Sequence, residues 1–327
     1  MNKGYLVTSS PHIKTDDNTR VIMGDVLIAL SPAFIVGIVF FGFRVLLLTL
    51  VSVISCMAFE YFYRRFMKKS FTLNNLSAVV TGVLLAFNLP ATVPYWIPIV
   101  GAFFAIIIVK ELFGGLGKNF MNPALAARAF LFSWPDIMTT WAKPFTKIPL
   151  LAVDPANIIT GATPLSILKG KVGTPDQSLF QMFIGEKGGC LGEIAVLFLI
   201  LGGLYLLFRR VITWHIPVTY IGTVALLTYF FHWNYDGLYF MLANLLSGGL
   251  MLGAIFMATD YSSSPVTSRG KIIYGIGCGL LTVFLRYFGA YPEGVCFSII
   301  IMNCFVWLIE KYTRPRRYGT GGGAVHV

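Results

Sequence analysis

Runs of about 18 to 20 apolar residues recur along the whole of this 327-residue chain. Each is long enough to cross a hydrocarbon layer of roughly 30 Å as a helix. Within lipid the backbone must satisfy its own N–H and C=O groups, which leaves helices or a closed barrel as solutions, and runs of this length select helices. The chain is 56% hydrophobic and only 12% charged, where a soluble domain carries about twice that charge, and its mean hydropathy is +0.75. The expected fold is an all-α membrane protein of about ten transmembrane helices. These fall at about 21–41, 44–63, 73–90, 95–113, 121–134, 190–208, 212–231, 238–258, 272–289 and 294–312. The fifth is short and carries Arg128, which predicts a broken or tilted helix buried against others. The N-terminus is polar through Arg20 and shows no short apolar region with a small-residue cleavage site, so no cleavable signal is expected.

The net charge of +11 invites a nucleic-acid reading, but its distribution argues for membrane topology instead. One set of helix ends collects Arg64, Arg65, Lys68, Lys69, Lys110, Lys118, Arg209 and Arg210, then Arg269, Lys271, Lys311, Arg314, Arg316 and Arg317. The opposite connections 89–95, 232–237 and 290–294 hold no lysine or arginine. Positive residues stay inside, so both termini are expected in the cytoplasm and the long 135–189 connection on the outer face. The chain then divides into an N-terminal tail (1–20), a first membrane half (21–134), the outer loop (135–189), a second half (190–312) and a C-terminal tail (313–327). Asn75 to Pro90 runs outward, and the texture of Asn244 to Pro265, running inward, is similar; five spans plus five of opposite polarity make an inverted repeat.

Several chemistries are disfavoured. Gly117-Lys118 lacks the upstream glycine of a phosphate loop, Leu112 standing in its place. His215 and His232 are about 25 Å apart along one helix at 1.5 Å per residue and do not reach one haem iron. The five cysteines, Cys56, Cys190, Cys278, Cys296 and Cys304, have neither zinc nor iron–sulfur spacing and read as packing residues, so no metal site is expected. If the protein handles electrons, its carrier is organic and held by something other than Cys or His.

The long polar loop carries Thr160-Gly161-Ala162-Thr163, followed by Pro164-Leu165-Ser166. Small residues leave the backbone approachable, and a proline holds the preceding Thr163 extended, so its hydroxyl can be presented to a bulky phosphate-bearing group. A plain surface turn is the alternative for the tetrapeptide taken by itself.

Four further stretches join it. They are Lys110 to Gly115, Gly117 to Ala124, Ala127 to Phe132, and Met257-Ala258-Thr259-Asp260 with Ser264 to Thr267 and Gly270-Lys271. With Tyr291-Pro292-Glu293-Gly294, this set resembles the NqrB/RnfD family, the membrane subunits of sodium-pumping NADH:quinone oxidoreductase and of Rnf ferredoxin:NAD oxidoreductase. The resemblance runs from about residue 20 to 318 in the expected order. The short N-terminus is closer to the Rnf D subunit than to the quinone-reductase B subunit, which stays a rival, as does a non-redox channel or secondary transporter of the same build. The resemblance implies FMN joined to Thr163 by a phosphoester, made by a separate flavin transferase on the outer face. It leaves Thr160, Gly161 and Ala162 as local support. It also implies a second, non-covalent flavin (riboflavin), iron–sulfur subunits, an outer FMN-bearing subunit of the Rnf complex, and coupling to Na+ or H+. The location it implies is a bacterial or archaeal cytoplasmic membrane, with multiple passes.

Acids inside a membrane are costly and usually functional. Glu111, ahead of the Gly114-Gly115 break, matches an acid that the resemblance connects with ion uptake; a neighbour pair with Lys110 is the alternative. Glu310 matches another. Glu60, Asp260, Asp25 and Glu193 read more readily as helix-end or capping acids. Arg128 could stabilise a phosphate or a reduced flavin, or simply pair with an acid or a helix carbonyl. Gly114-Gly115 and Asn122-Pro123 flank a turned stretch whose carbonyls could coordinate a cation.

Overall fold

A computed structural model describes residues 18–146, 148–150, 161–170, 175, 177–233 and 235–315. Thr160, Arg316, Arg317 and most of both tails lie outside the described residues. Among the described residues every element longer than a single bridge at Ala142 is helical, and every one of the ten apolar stretches contains helix.

The first half opens with α1 (Thr19–Phe41) and α2 (Phe43–Phe66). Asn18 caps α1 by accepting from the Val21 N–H at 3.1 Å. The two helices are separated by Gly42 alone, at φ 78°, a conformation that a side chain would strain. A short 3₁₀ turn (Leu73–Asn75) leads to α3 (Ser77–Phe87). Next, α4 (Trp96–Phe103) widens into a π-helix, Phe104–Glu111. Glycines 114, 115 and 117 all take positive φ in the turn that follows, and α5 (Pro123–Leu131) begins at Asn122, whose Oδ1 accepts from the N–H groups of Ala124 and Leu125. The fifth stretch is therefore the short, buried helix expected.

Short helices build the loop region: α6 (Pro135–Met138), α7 (Pro164–Gly170) and α8 (Leu179–Ile184). The second half comprises α9 (Leu191–Ile194), α10 (Val196–Phe208), α11 (His215–Phe230) and α12 (Gly237–Leu246). It is completed by α13 (Leu250–Met257, its later part π-helical), α14 (Ser268–Phe288) and α15 (Val295–Thr313).

Four helices, α1, α2, α14 and α15, are individually long and apolar enough to cross a membrane; α12 and α13 form a fifth such stretch bent by 64°. Among the described residues, α3, α10 and α11 are shorter apolar helices of 10–17 residues. Packing order repeats between the halves. Helix α2 packs on α3 and α4, as α11 does on α12 and α14; α4 with its π extension packs on α5, as α14 does on α15; and α1 lies against α10 across the junction. Small residues set these contacts, because lipid supplies no hydrophobic drive between helices. A Cβ at Gly202 would fall 2.2 Å from the Ala29 carbonyl oxygen, and one at Gly275 would fall 2.0 Å from Thr219 Oγ1.

Candidate functional site

Polar groups are buried at both ends of α3, whose first and last flanking residues, Ser77 and Asn88, are about 16 Å apart at 1.5 Å per residue. At the Ser77 end, Lys110 Nζ donates to Glu60 Oε2 (2.7 Å) and to Ser77 Oγ (2.8 Å). Arg64 donates through Nε and Nη2 to Glu111 Oε1 (3.1 and 3.0 Å), and Thr72 donates to Glu60. Lys110 and Glu111 thus pair with α2 rather than with each other. The π-helix explains this, since its wider turn changes the directions of consecutive side chains from those of an α-helix. Gly115 permits the close approach, as a Cβ there would sit 2.7 Å from Arg64 Nη2. Glu111 is fully buried, and its Oε2 has no hydrogen-bond partner. Alongside lies a cavity of about 100 Å³ whose lining includes Ser77, Lys110, Asn119, Asn122, Asp260 and Ser262.

The other acids singled out in the sequence are placed separately. Glu310 Oε1 accepts from the Val266 N–H (3.1 Å), fixing the connection before α14. Asp25 accepts from Tyr205 and Arg209. Asp260 accepts from the hydroxyls of Ser262 and Ser263, both at 2.9 Å.

At the Asn88 end, Arg128 is the hub. Its Nη1 donates to Asn88 Oδ1 (2.9 Å), and its Nη2 reaches Glu193 Oε1 (3.4 Å), Cys190 Sγ (3.3 Å) and Glu293 Oε2. Arg128 is thus paired with acids, one of the arrangements that the sequence allowed. Arg286, equally buried, donates to the carbonyls of Asn244 and Ser247 at the α12–α13 bend.

Immediately beside this hub opens a cleft of about 450 Å³, within the roughly 300–1,000 Å³ of ordinary ligand sites. Thr163, Gly161 and Ala162 form one wall; Phe132, Trp141, Tyr291, Pro292 and Glu293 form others. Thr163 stands at the start of α7, where its Oγ1 accepts from the Ser166 N–H (3.2 Å) and Pro164 opens the helix. The Gly161 N–H donates to the Trp141 carbonyl (3.2 Å), which lays the motif against the 141–142 segment. The Lys143 side chain crosses Gly161 so closely that a Cβ would lie 3.1 Å from its Cε. At the far end of α7, Lys169 Nζ donates to the carbonyls of Gly289 and Tyr291, tying the Thr163 helix to the Tyr291–Glu293 wall.

The sequence identified Thr163, Gly161 and Ala162 and the Tyr291-to-Gly294 stretch, but not that they share a cleft. Trp141 and Lys143 carried no motif that would have singled them out. Glu193 was read as a helix-end acid, although acids 100 residues apart, Glu193 and Glu293, converge on one guanidinium.

An all-helical bundle of apolar spans, with ion-pair networks buried at both ends of a short central helix and an aromatic cleft beside one of them, is a multi-pass membrane protein. The chain belongs to the NQR2, RnfD, RnfE family, whose model matches residues 6–319. It is 50% identical over 317 residues to the D subunit of the Na+-translocating ferredoxin:NAD+ oxidoreductase complex of Acetobacterium woodii, covering 96% of this chain and 95% of the relative. It is 40% identical over 330 residues to the D subunit of the proton-translocating ferredoxin:NAD+ oxidoreductase complex of Clostridium ljungdahlii, covering 97% and 96%. Identity is 36% over 345 residues to the D subunit of the ion-translocating oxidoreductase complex of Aliivibrio salmonicida, covering 96% and 98%.

Proposed function

We propose that this chain is the D-type membrane subunit of an Rnf-type ion-translocating ferredoxin:NAD+ oxidoreductase complex, with FMN esterified to Thr163 and electron passage coupled to Na+ or H+ movement. The observation that carries the flavin reading is the cleft of about 450 Å³ that opens on Thr163 and is walled by Phe132, Trp141 and Tyr291. Aromatic side chains suit a flat ring system, and Lys143 crosses the motif where a phosphate would be joined. The bound flavin supplies one- and two-electron redox chemistry that no side chain has. The protein contributes position: Thr163 fixes the nucleotide covalently, Gly161 admits the Lys143 chain, and Lys169 braces the opposite wall. Arg128 acts one layer back, orienting Glu293.

The ten helical stretches then make ten crossings in a five-plus-five inverted repeat, which the repeated packing order supports, with both termini in the cytoplasm by the distribution of lysine and arginine. Thr163 lies at the Asn88 end of α3, opposite the arginine- and lysine-rich Ser77 end. The positive-inside rule puts that end outside, where a flavin transferase and an outer FMN-bearing subunit would meet it. Iron–sulfur subunits of the complex supply electrons. A second, non-covalent riboflavin belongs to the same reading, but the cavity lined by Lys110, Asn119, Asn122 and Asp260, at about 100 Å³, is too small to hold it. Glu111 serves the ion path, because its buried, unpartnered Oε2 can accept a cation or a proton. Glu310 serves the same path from the inner end of α15.

The test is a denaturing gel of the chain purified from its native host, with mass analysis of the peptide 148–169. In-gel flavin fluorescence and an FMN mass increment on Thr163 are expected, both lost in Thr163→Ala. A fluorescent Thr163→Ala band would defeat the attachment. A colourless, unmodified native chain would favour the non-redox transporter instead.

A further inference from the structure

The Arg128 hub has an uneven charge count. Two carboxylates, Glu193 from α9 and Glu293 from the α14–α15 connection, converge on one guanidinium, and an oxygen of each lies within 4.8 Å of the other and of Cys190 Sγ. Two other buried cations lie nearby: Arg286 of α14 directs its nitrogens at the Asn244 and Ser247 carbonyls, and Lys187, within electrostatic reach of Glu193, donates to the Leu246 carbonyl. Lys169 of α7 spends its ammonium on the carbonyls of Gly289 and Tyr291. Cys190 donates to the Asn88 carbonyl, and Cys296 of α15 donates to that of Leu125. Two like charges so close and so poorly hydrated favour binding one proton between them. The Glu293 side chain is 10% exposed, and that exposure is to the cleft, which it lines together with Thr163.

From this geometry we infer that Glu293 is the proton carrier of the Thr163 cleft, giving a proton to the flavin ring when the ring is reduced and taking it back on oxidation. The inference rests on the flavin reading above. Its Oε2 is held by Arg128, which leaves Oε1 to bear the proton. One electron enters from a one-electron donor of iron–sulfur or flavin class. Glu293 then loses its proton as the O–H bond breaks and an N–H bond forms on the ring. The bonding pair stays on the carboxylate, whose charge Arg128 and Arg286 stabilise, so the cleft gains one electron with its charge placed on the protein. Burial raises the Glu293 carboxyl above the usual carboxylate range and Glu193 adds to the rise, with Arg128 and Arg286 opposing it. A proton is therefore available there near neutral pH. Glu193 is the positioning partner: fully buried and away from the cleft lining, it keeps Arg128 shared.

The experiment uses the intact complex and two readouts other than turnover. Because the proton moves within the cleft, spectroelectrochemical titration of the Thr163 flavin should show a one-electron midpoint potential nearly independent of pH where Glu293 starts protonated, falling by about 59 mV per tenfold fall in proton concentration only above that range. Glu293→Gln, whose ring proton must come from solvent, should show the about 59 mV slope throughout about pH 6 to 8, with Glu293→Asp restoring the flat region. Redox-difference infrared spectra should show a protonated-carboxyl band that is lost on reduction, shifts with 13C-glutamate and is missing in Glu293→Gln. Flavin mass on the 148–169 peptide is recorded on every sample. A flavin-loaded Glu293→Gln complex with unchanged slope and band overturns the inference. So does a wild-type spectrum with no glutamate carboxyl band, a result that needs no variant to fold. A wild-type peptide without flavin overturns the attachment reading instead.

Discussion

At the scale of single residues, the Ser77-end network shows how unequal its members are. Arg64 sits between Glu60 and Glu111, with both acids buried to within 1% exposure. Replacing it with Met strands carboxylates away from water, and breaking a buried pair from one side costs about 3–5 kcal/mol. Arg64→Met is expected to lower the unfolding temperature in detergent by many degrees and to reduce the amount of assembled complex. Glu111→Gln removes charge while preserving shape, and the neutral amide still accepts from Arg64. It is expected to fold with flavin bound and to raise the ion concentration needed for half-maximal uptake by complex-containing vesicles; uptake kinetics matching wild type would remove Glu111 from the ion path. Lys143 is exposed, so Lys143→Glu should leave stability within about 0.5 kcal/mol. By placing a carboxylate against the phosphate it should cut the flavin-loaded fraction several-fold, measured as in-gel fluorescence per unit protein. The roles of Arg64 and Lys143 were not readable from local sequence, and Glu111 was singled out there by its place before Gly114-Gly115 and by resemblance, without its partner. Lys110-Glu111 looks like a neighbour pair, and only the π-helix and the proximity of α2 assign each residue a different partner.

At the scale of elements, glycine placement distinguishes helix faces that composition treats alike. Gly202 and Gly222 both sit inside apolar helices. A methyl at Gly202 would meet the Ala29 backbone oxygen at 2.2 Å, while at Gly222 nothing stands within 4 Å. In a helix interior alanine is better than glycine by about 1 kcal/mol, whereas forced overpacking costs about 1–3 kcal/mol. Gly222→Ala should therefore raise thermal stability slightly or leave it unchanged, and Gly202→Ala should lower it by separating α1 from α10. Equal effects of the two changes would contradict the close packing of those helices. The apolar runs predicted where helices lie to within a few residues, because length and hydropathy are local properties. They did not reveal that α4 and α13 turn π-helical or that α12 and α13 meet at 64°, since those distortions answer to neighbours: the buried carbonyls of Asn244 and Ser247 at the bend are satisfied by Arg286, 39 or more residues away.

At the scale of the whole molecule, the expected orientation and the proposed flavin cleft make one joint prediction. Against a Cys304→Ser background, since Cys304 is the exposed native cysteine, a membrane-impermeant thiol reagent applied to intact cells should label Thr139→Cys beside the cleft. It should not label Arg65→Cys until the membrane is opened. The reverse pattern would place the flavin loop in the cytoplasm and remove the case for an outer transferase. The sequence alone determined the solvent in which this chain folds, its helical class and its orientation signals, because apolar run length and charge distribution act through the membrane without reference to any neighbour. It also singled out the Thr163 hydroxyl, through a contiguous motif and family resemblance. Tertiary structure alone decided which groups share that cleft and which acids share one arginine. Buried charges choose partners by distance in a low-dielectric interior, and residues 128, 163, 193 and 293 become neighbours only when the helices that carry them pack.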